Sequence, residues 1–380
     1  MVFKKGCAPG DRLIIAAVGD VLLHKNLQWA ATVKKNAYRH LWAPVEPHLR
    51  RAHLTYANLE GVVAPGVHKD GHATKDPGFR YDAQVYTSWP RFNYPSRLLD
   101  DLKAAGVDVV STANNHALDR YQLGVDLTLE ELERRAIAST GTRHSDHRTL
   151  KAPRDKSLAY PWHTVTRHGQ WRVAWLACAH NTNGIPDRAD QVLSCRHDRP
   201  EIFRIVRALA ADRAIDAVIV TPHWGAEYIH RPLSGDRAFG RALIDAGAHA
   251  VLGSHPHVLQ PWEVHTTSTG RQGLIVYSLG NFVSGMGSLR RKTPGTVAKR
   301  ATIILYMGLT RDARGEVFVN GARYMPAIMR APTGWRQLFL TEHVKHKDGR
   351  AAEALTLKLL GAHNRLAADA PLTTTPECAP

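Results

Sequence analysis

The strongest constraint on this chain is a recurring unit: an apolar run of strand length that stops in a cluster of Asp, Asn, Glu or His. The clearest case is Ala248-His249-Ala250-Val251-Leu252, followed at once by Gly253-Ser254-His255-Pro256-His257. A helix-like stretch at 237–246 precedes it, with Gly247 where a helix would stop. The same order recurs at 96–105, whose Leu98, Leu99, Leu102 and Ala105 form a helical stripe. Gly106 and a strand at 107–112 follow, ending in Ala113-Asn114-Asn115-His116-Ala117-Leu118-Asp119. It recurs again at 201–211 and 217–220, ending in Thr221-Pro222-His223-Trp224-Gly225-Ala226-Glu227-Tyr228. Two earlier runs, beginning at Leu13 and Leu54, stop in Gly19-Asp20-Val21 and in Asn58-Leu59-Glu60-Gly61. Alternating helices and strands predict an α/β sheet, and such sheets bind ligands at the carboxyl ends of their strands. Chance would scatter these polar residues over both ends of the strands. Convergence at one edge explains the pattern better.

The remaining segments extend that frame. Residues 157–166 and 170–179 read as a strand pair around the turn Arg167-His168-Gly169. A further strand is expected at 274–282, ending in Gly280-Asn281, with others at 302–307, 317–320 and 335–341 that read as antiparallel. Residues 351–362 read as a last helix, and 371–380 as a disordered tail. The segment 62–95 is rich in Gly, Pro, His and aromatics and lacks period, which suits a functional loop or lid. No linker or repeat interrupts the chain, so residues 1–370 are expected to form a single domain.

Fifty Lys and Arg against 34 Asp and Glu give a net charge of +16, which favours acidic partners. The positive residues are scattered and no nucleic-acid motif appears, so nucleic acid is not the expected partner. No apolar run approaches the ~20 residues of a transmembrane helix. Lys4 and Lys5 have no apolar signal region behind them, so the expected compartment is the cell envelope if a leader was removed and the cytoplasm otherwise. Cys7, Cys178, Cys195 and Cys378 lack metal-site spacing; Cys178 reads as a small buried hydrophobe, with a bridge to Cys195 as the alternative.

The residue types at the strand ends carry a chemistry. Asp20, Glu60, Asn115, His223, His255 and His257 mix hard oxygen donors with imidazoles and suit one or two divalent ions of the Mn, Fe, Zn or Mg class. His116 beside Asn115 is then free to donate a proton to a leaving group. A helix cap is the competing role for Asp20, and His24 is expected merely to sit on the following helix.

Together these motifs, with Tyr277-Ser278-Leu279-Gly280-Asn281-Phe282, resemble the capsule-synthesis CapA family, which is associated with poly-γ-glutamate biosynthesis and is similar to calcineurin-like metallophosphoesterases. The resemblance runs from about residue 13 to 285 and implies a four-layer αββα, metallophosphatase-like sandwich. In that pattern Asp20 matches the first-strand aspartate, and Glu60 or Asn58 stands near the bridging aspartate. Asn115-His116 matches the Asn-His pair, His223 the lone histidine, and His255 with His257 the terminal His-x-His. One position departs: Leu22 stands where the metallophosphoesterases carry a histidine two residues after the aspartate. The resemblance implies a metal-dependent hydrolase or transferase acting on a phosphoester or an amide-linked acidic polymer, with other capsule-synthesis proteins as partners. A non-catalytic envelope protein that guides poly-γ-glutamate is the other reading. Expected substrate contacts are Arg80, Arg91, Glu227 and Asn281, with Arg290, Arg291 and Lys292 as further basic residues near the cleft.

Overall fold

A computed structural model describes residues 1–148, 162–287, 295–375 and 378. The start of the expected strand at 157–166, and Arg290, Arg291 and Lys292, lie outside the described residues. In chain order the elements are β1 (Asp11–Leu22), α1 (Lys25–Val33), α2 (Glu46–Leu49), β2 (Leu54–Leu59), α3 (Arg97–Ala104), β3 (Val109–Ser111), α4 (Tyr121–Glu133) and β4 (Ala138–Thr140). There follow β5 (His163–His168), β6 (Trp171–Ala179), α5 (Arg199–Ala211), β7 (Ala217–His223), α6 (Ser234–Asp245), β8 (Ala250–Leu252), β9 (Trp262–Thr266) and β10 (Gln272–Val276). The chain closes with β11 (Asn281–Ser284), β12 (Ala301–Arg311), β13 (Val317–Arg330), β14 (Gln337–Leu340) and α7 (Lys347–Leu360).

Two sheets result. One has the order β14-β13-β12-β1-β2-β3-β4, with β11 added against the end of β1; the other has the order β5-β6-β7-β8-β10-β9. The period-2 alternation of each strand then assigns its side chains to two different cores. On β1, Leu13, Ile15 and Ala17 face the second sheet, whereas Ala16 and Val18 face α1–α3. On β12, Ile303, Leu305 and Met307 face inward and Ile304 and Tyr306 outward. Val173 and Trp175 of β6 meet the first sheet, while Ala174, Leu176 and Cys178 pack under α5 and α6. Tyr56 of β2 stacks on Trp175 across the gap, with ring centroids 5.5 Å apart. The architecture is therefore helix, sheet, sheet, helix, the four-layer αββα sandwich.

Parallel pairing of β1 with β2, β2 with β3, β6 with β7, and β7 with β8 points these carboxyl ends the same way. The apolar run expected as one strand at 274–282 is two. Gly280, with φ +69°, breaks it, so that β10 stays in the second sheet while β11 pairs with β1 in the first, Asn281 beside Asp20. Gly19 is required at that junction, because a Cβ there would lie 1.8 Å from the Gly280 carbonyl oxygen.

Two further expectations are corrected. Cys178 is buried but bridges to Cys195, and Cys7 bridges to Cys378. The described part of 371–380 is not a loose tail: Thr374 and Thr375 are buried, and the Thr374 hydroxyl donates to Asn320 Oδ1 at 2.7 Å. Its polar, Pro-rich composition hid a segment held by hydrogen bonds from Thr374 to Asn320 and from Arg323 to Thr373, and by a disulfide.

Candidate metal centre

The polar strand ends gather around one buried point. Asp20 leaves β1 next to Asn58 of β2, whose amide donates to Asp20 Oδ1 at 2.8 Å. Glu60 follows β2, and Tyr94 donates its hydroxyl to the Glu60 carbonyl at 2.7 Å while accepting from the Leu23 N–H at 3.1 Å. His223 ends β7. Its Nδ1 is 3.0 Å from Ser254 Oγ, and its Nε2 is 2.9 Å from Asn115 Oδ1 and 3.1 Å from His255 Nδ1. His257 Nδ1 lies 3.1 Å from Asp20 Oδ2 and 3.0 Å from Asn281 Oδ1, while its Nε2 is 3.6 Å from Glu60 Oε1. All of these side chains are buried.

The tightest group is Glu60, His255 and His257, whose ligand atoms all lie within 4.8 Å of one another. Both carboxylate oxygens of Glu60 are buried without a hydrogen-bond partner, as is Asn58 Oδ1. A buried carboxylate left without hydrogen bonds costs several kcal/mol unless a charge meets it. His223 Nε2 and His255 Nδ1 also face each other at 3.1 Å, close enough for both to meet one cation. The donor set therefore fits a divalent cation.

The electrostatics lead the same way. Burial pushes the Glu60 carboxyl well above its usual range, against the pull of His257. Burial, reinforced by His257, lowers His255 to about 4, and burial with His255 holds His223 well below the ordinary imidazole value. His257 is the exception: burial acts to lower it, but Glu60 and then Asp20 hold it up at about 9. His257 thus carries a proton at neutral pH beside Glu60 and Asp20. A metal cation can take that proton's place.

A cavity of about 260 Å³ opens onto this cluster, lined among others by Leu22, Arg91, Asn115, His116, Glu227 and His257. His116 Nδ1 is 2.8 Å from the Asp119 carboxylate, which also accepts the Phe92 N–H from the 62–95 segment. Asp119 thereby fixes the ring and leaves Nε2 for the cavity. Leu22, at the position where the sequence resemblance leads to the expectation of a histidine, lines the cavity. His24 does not replace it: it sits at the N-terminus of α1 and its Nδ1 accepts the Gly285 N–H at 3.2 Å.

The expected substrate contacts divide. Arg91 and Glu227 line the cavity, Arg91 stacking 5.1 Å over the Tyr121 ring and donating to its hydroxyl at 2.7 Å. Arg80 is exposed and does not line it. Asn281 is buried and spent on the protein, its amide donating to the His257 and Lys299 carbonyls at 3.1 and 3.0 Å. It orients a histidine instead of meeting substrate. Three residues at the site went unread in the sequence. Asn183, whose amide lies 3.4 Å from His116 Nδ1, was assigned no role; Ser254 sat inside a motif noticed for its histidines; Tyr228, 44% exposed at the rim, closed a motif noticed for His223 and Glu227.

A family profile described as a bacterial capsule synthesis protein, PGA_cap, matches residues 14–286. The chain is 25% identical to the capsule biosynthesis protein CapA of Bacillus anthracis over 297 residues, which cover 76% of this chain and 63% of that protein. It is 29% identical to the PGA biosynthesis protein CapA of Bacillus subtilis, over 76% of this chain and 67% of that one. The chain thus spans about two thirds of the length of these relatives. A solved phosphatase from Mycoplasma pneumoniae superposes with a TM-score of 0.45 at 14% identity, over 84% of this chain and 95% of that one, a likeness too distant to carry an argument. The profile covers every residue of the cluster from Asp20 to Asn281, and the chain belongs to the bacterial capsule synthesis (PGA_cap) family, the CapA proteins of Bacillus among its relatives.

Proposed function

We propose that this chain is a metal-dependent hydrolase of capsule polymer metabolism, acting on an amide-linked acidic polymer of the poly-γ-glutamate type or on a phosphoester. The observation that carries the reading is Glu60, whose two buried and unpartnered oxygens face His255 and His257. That triad supports one divalent ion, and Asp20, Asn115 and His223 beside it supply donors for a second. When bound, such an ion supplies Lewis acidity and charge neutralisation for attack by water. The chain's own residues do the rest. Asn281 and Asp20 fix the His257 ring through Nδ1. Asp119 holds His116 so that its Nε2 can hand a proton to the leaving group. Arg91 offers the cavity's cation for an acidic substrate.

Leu22 favours a second reading, a non-catalytic protein that binds or guides the polymer, because it removes one nitrogen from the first-strand motif. The two disulfides support an oxidising compartment, the outer side of the cell envelope. Metal analysis of protein purified without chelator, coupled to a screen of phosphodiester and γ-glutamyl substrates, tests the proposal. The expected result is at least one divalent ion per chain, loss of that ion in His257→Ala, and turnover that disappears with it. His257→Ala should also lower the melting temperature by more in metal buffer than in chelator. Wild-type protein that holds no metal after loading with Mn or Zn would overturn the reading.

A further inference from the structure

A second groove lies apart from the cavity over Glu60. It holds about 570 Å³ and is lined by Ile229, Arg231, Leu233, Arg237 and Arg241 with their neighbours, with no carboxylate in its lining. The segment that walls it continues the rim of the metal cavity, since Glu227 and Tyr228 line that cavity and Ile229 begins this groove. Lys299 stands at the junction with its ammonium 3.4 Å above the Tyr228 ring.

Its chemistry is mixed in a defined way. Ile229 and Leu233 are 47% and 43% exposed, an apolar strip that a folded chain ordinarily covers. Arg237 and Arg241 stand one turn apart on α6, and their side chains remain 47% and 44% exposed. Glu263 meets Arg241 at 2.7 Å and only grazes Arg237 at 4.0 Å, so one carboxylate answers two guanidinium groups, and among the described residues none meets Arg231. Arginine forks pair with carboxylates in a bidentate way, and an apolar strip beside them suits the methylenes of a ligand.

We infer that this groove is a second binding subsite, which holds an acidic polymer beyond the bond presented to the metal centre. The occupant is an extended polycarboxylate of the poly-γ-glutamate type: it carries one carboxylate per unit along a flexible methylene-bearing chain, which matches cations placed along an apolar floor. The inference rests on the polymer reading of the metal centre for the identity of the ligand, and on the groove itself for the place. The subsite makes affinity grow with polymer length.

The test is equilibrium binding of labelled long poly-γ-glutamate to the metal-loaded protein at about 0.15 M salt, where contributions from scattered charge beyond ~8 Å are screened. The Arg231→Ser, Arg237→Ser double variant is expected to bind at least about tenfold more weakly, with metal content and melting temperature unchanged because both side chains are exposed. An Arg80→Ser variant is expected to bind as the wild type does. Unchanged affinity in the double variant would overturn the inference. An equal loss for a single-stranded oligothymidylate of matched charge would also overturn it, by showing a patch indifferent to the anion. Binding is read without turnover, so a protein that binds polymer through these arginines but cleaves nothing would refute the hydrolase reading and leave the subsite standing.

Discussion

His255 and His257 hold φ angles of +94° and +54°, and Tyr228 opposite them +65°, conformations that residues with a Cβ avoid. Such residues cost roughly 1–3 kcal/mol each and persist where neighbours over-determine them. Here the neighbours are backbone: Gly253 N–H donates to Val276 O at 2.7 Å, Leu279 N–H to Gly253 O at 3.0 Å, and Tyr228 N–H to Pro256 O at 2.8 Å. The turn that aims two imidazoles at Glu60 is therefore held against its own preference. In chelator, His255→Gly should be more stable than His255→Ala by about 1 kcal/mol, because glycine adopts positive φ freely. Denaturant midpoints of the two variants check this, and equal midpoints would mean the turn is unstrained. Asp119 bears on the proton donor in a different way. Asp119→Asn removes the charge that orients His116, and turnover should fall about 100-fold with metal content intact; loss of metal instead would make Asp119 a structural residue.

At the scale of elements, what the sequence showed and what it hid have one cause. Parallel strands deliver their carboxyl ends to the same edge, so Asp20, Glu60, His223 and His255 could be grouped from their place after apolar runs alone. Nothing local reveals which strand joins which sheet, and 274–282 read as one strand although Gly280 sends its two halves into different layers. The burial of Asn281 against His257 follows from that crossing and was for the same reason unreadable. Arg80 failed differently, since a loop without period gives no direction to a side chain. The Gly19–Gly280 contact makes the crossing testable. Gly19→Ala puts a methyl group 1.8 Å from a carbonyl oxygen, so one strand must move, and Asp20 is the next residue on β1. Lowered melting temperature together with lowered metal stoichiometry is expected. A loss of stability with metal binding intact would show that β11 yields and Asp20 stays in place.

Over the whole molecule, buried histidines decide how stability follows pH. Burial lowers His24, His180 and His249 from 6.5 to about 4 in the folded chain. His249 shows why a proton is refused there: its Nδ1 accepts the Val218 N–H at 3.2 Å and its Nε2 lies 3.3 Å from the Val317 carbonyl, an arrangement only the neutral ring satisfies. Below pH 6.5 the unfolded chain binds these protons and the folded chain does not, so stability falls as pH drops from 6.5 toward 4. His257, held at about 9 against an ordinary 6.5, acts in the opposite sense: its contribution is whole below 6.5 and is lost as pH rises through 9. The two limbs meet near 6.5, so the contribution of these histidines to metal-free stability is greatest close to that pH and falls on either side. The charge of +16 steepens the acid limb, since each further proton adds to self-repulsion. Melting curves in chelator from pH 4 to 9 measure both limbs. His249→Gln should flatten the acid limb and leave the alkaline one alone, whereas metal loading should suppress the alkaline limb by occupying the site where His257 holds its proton. An acid limb of unchanged slope in His249→Gln would place the refused protons elsewhere.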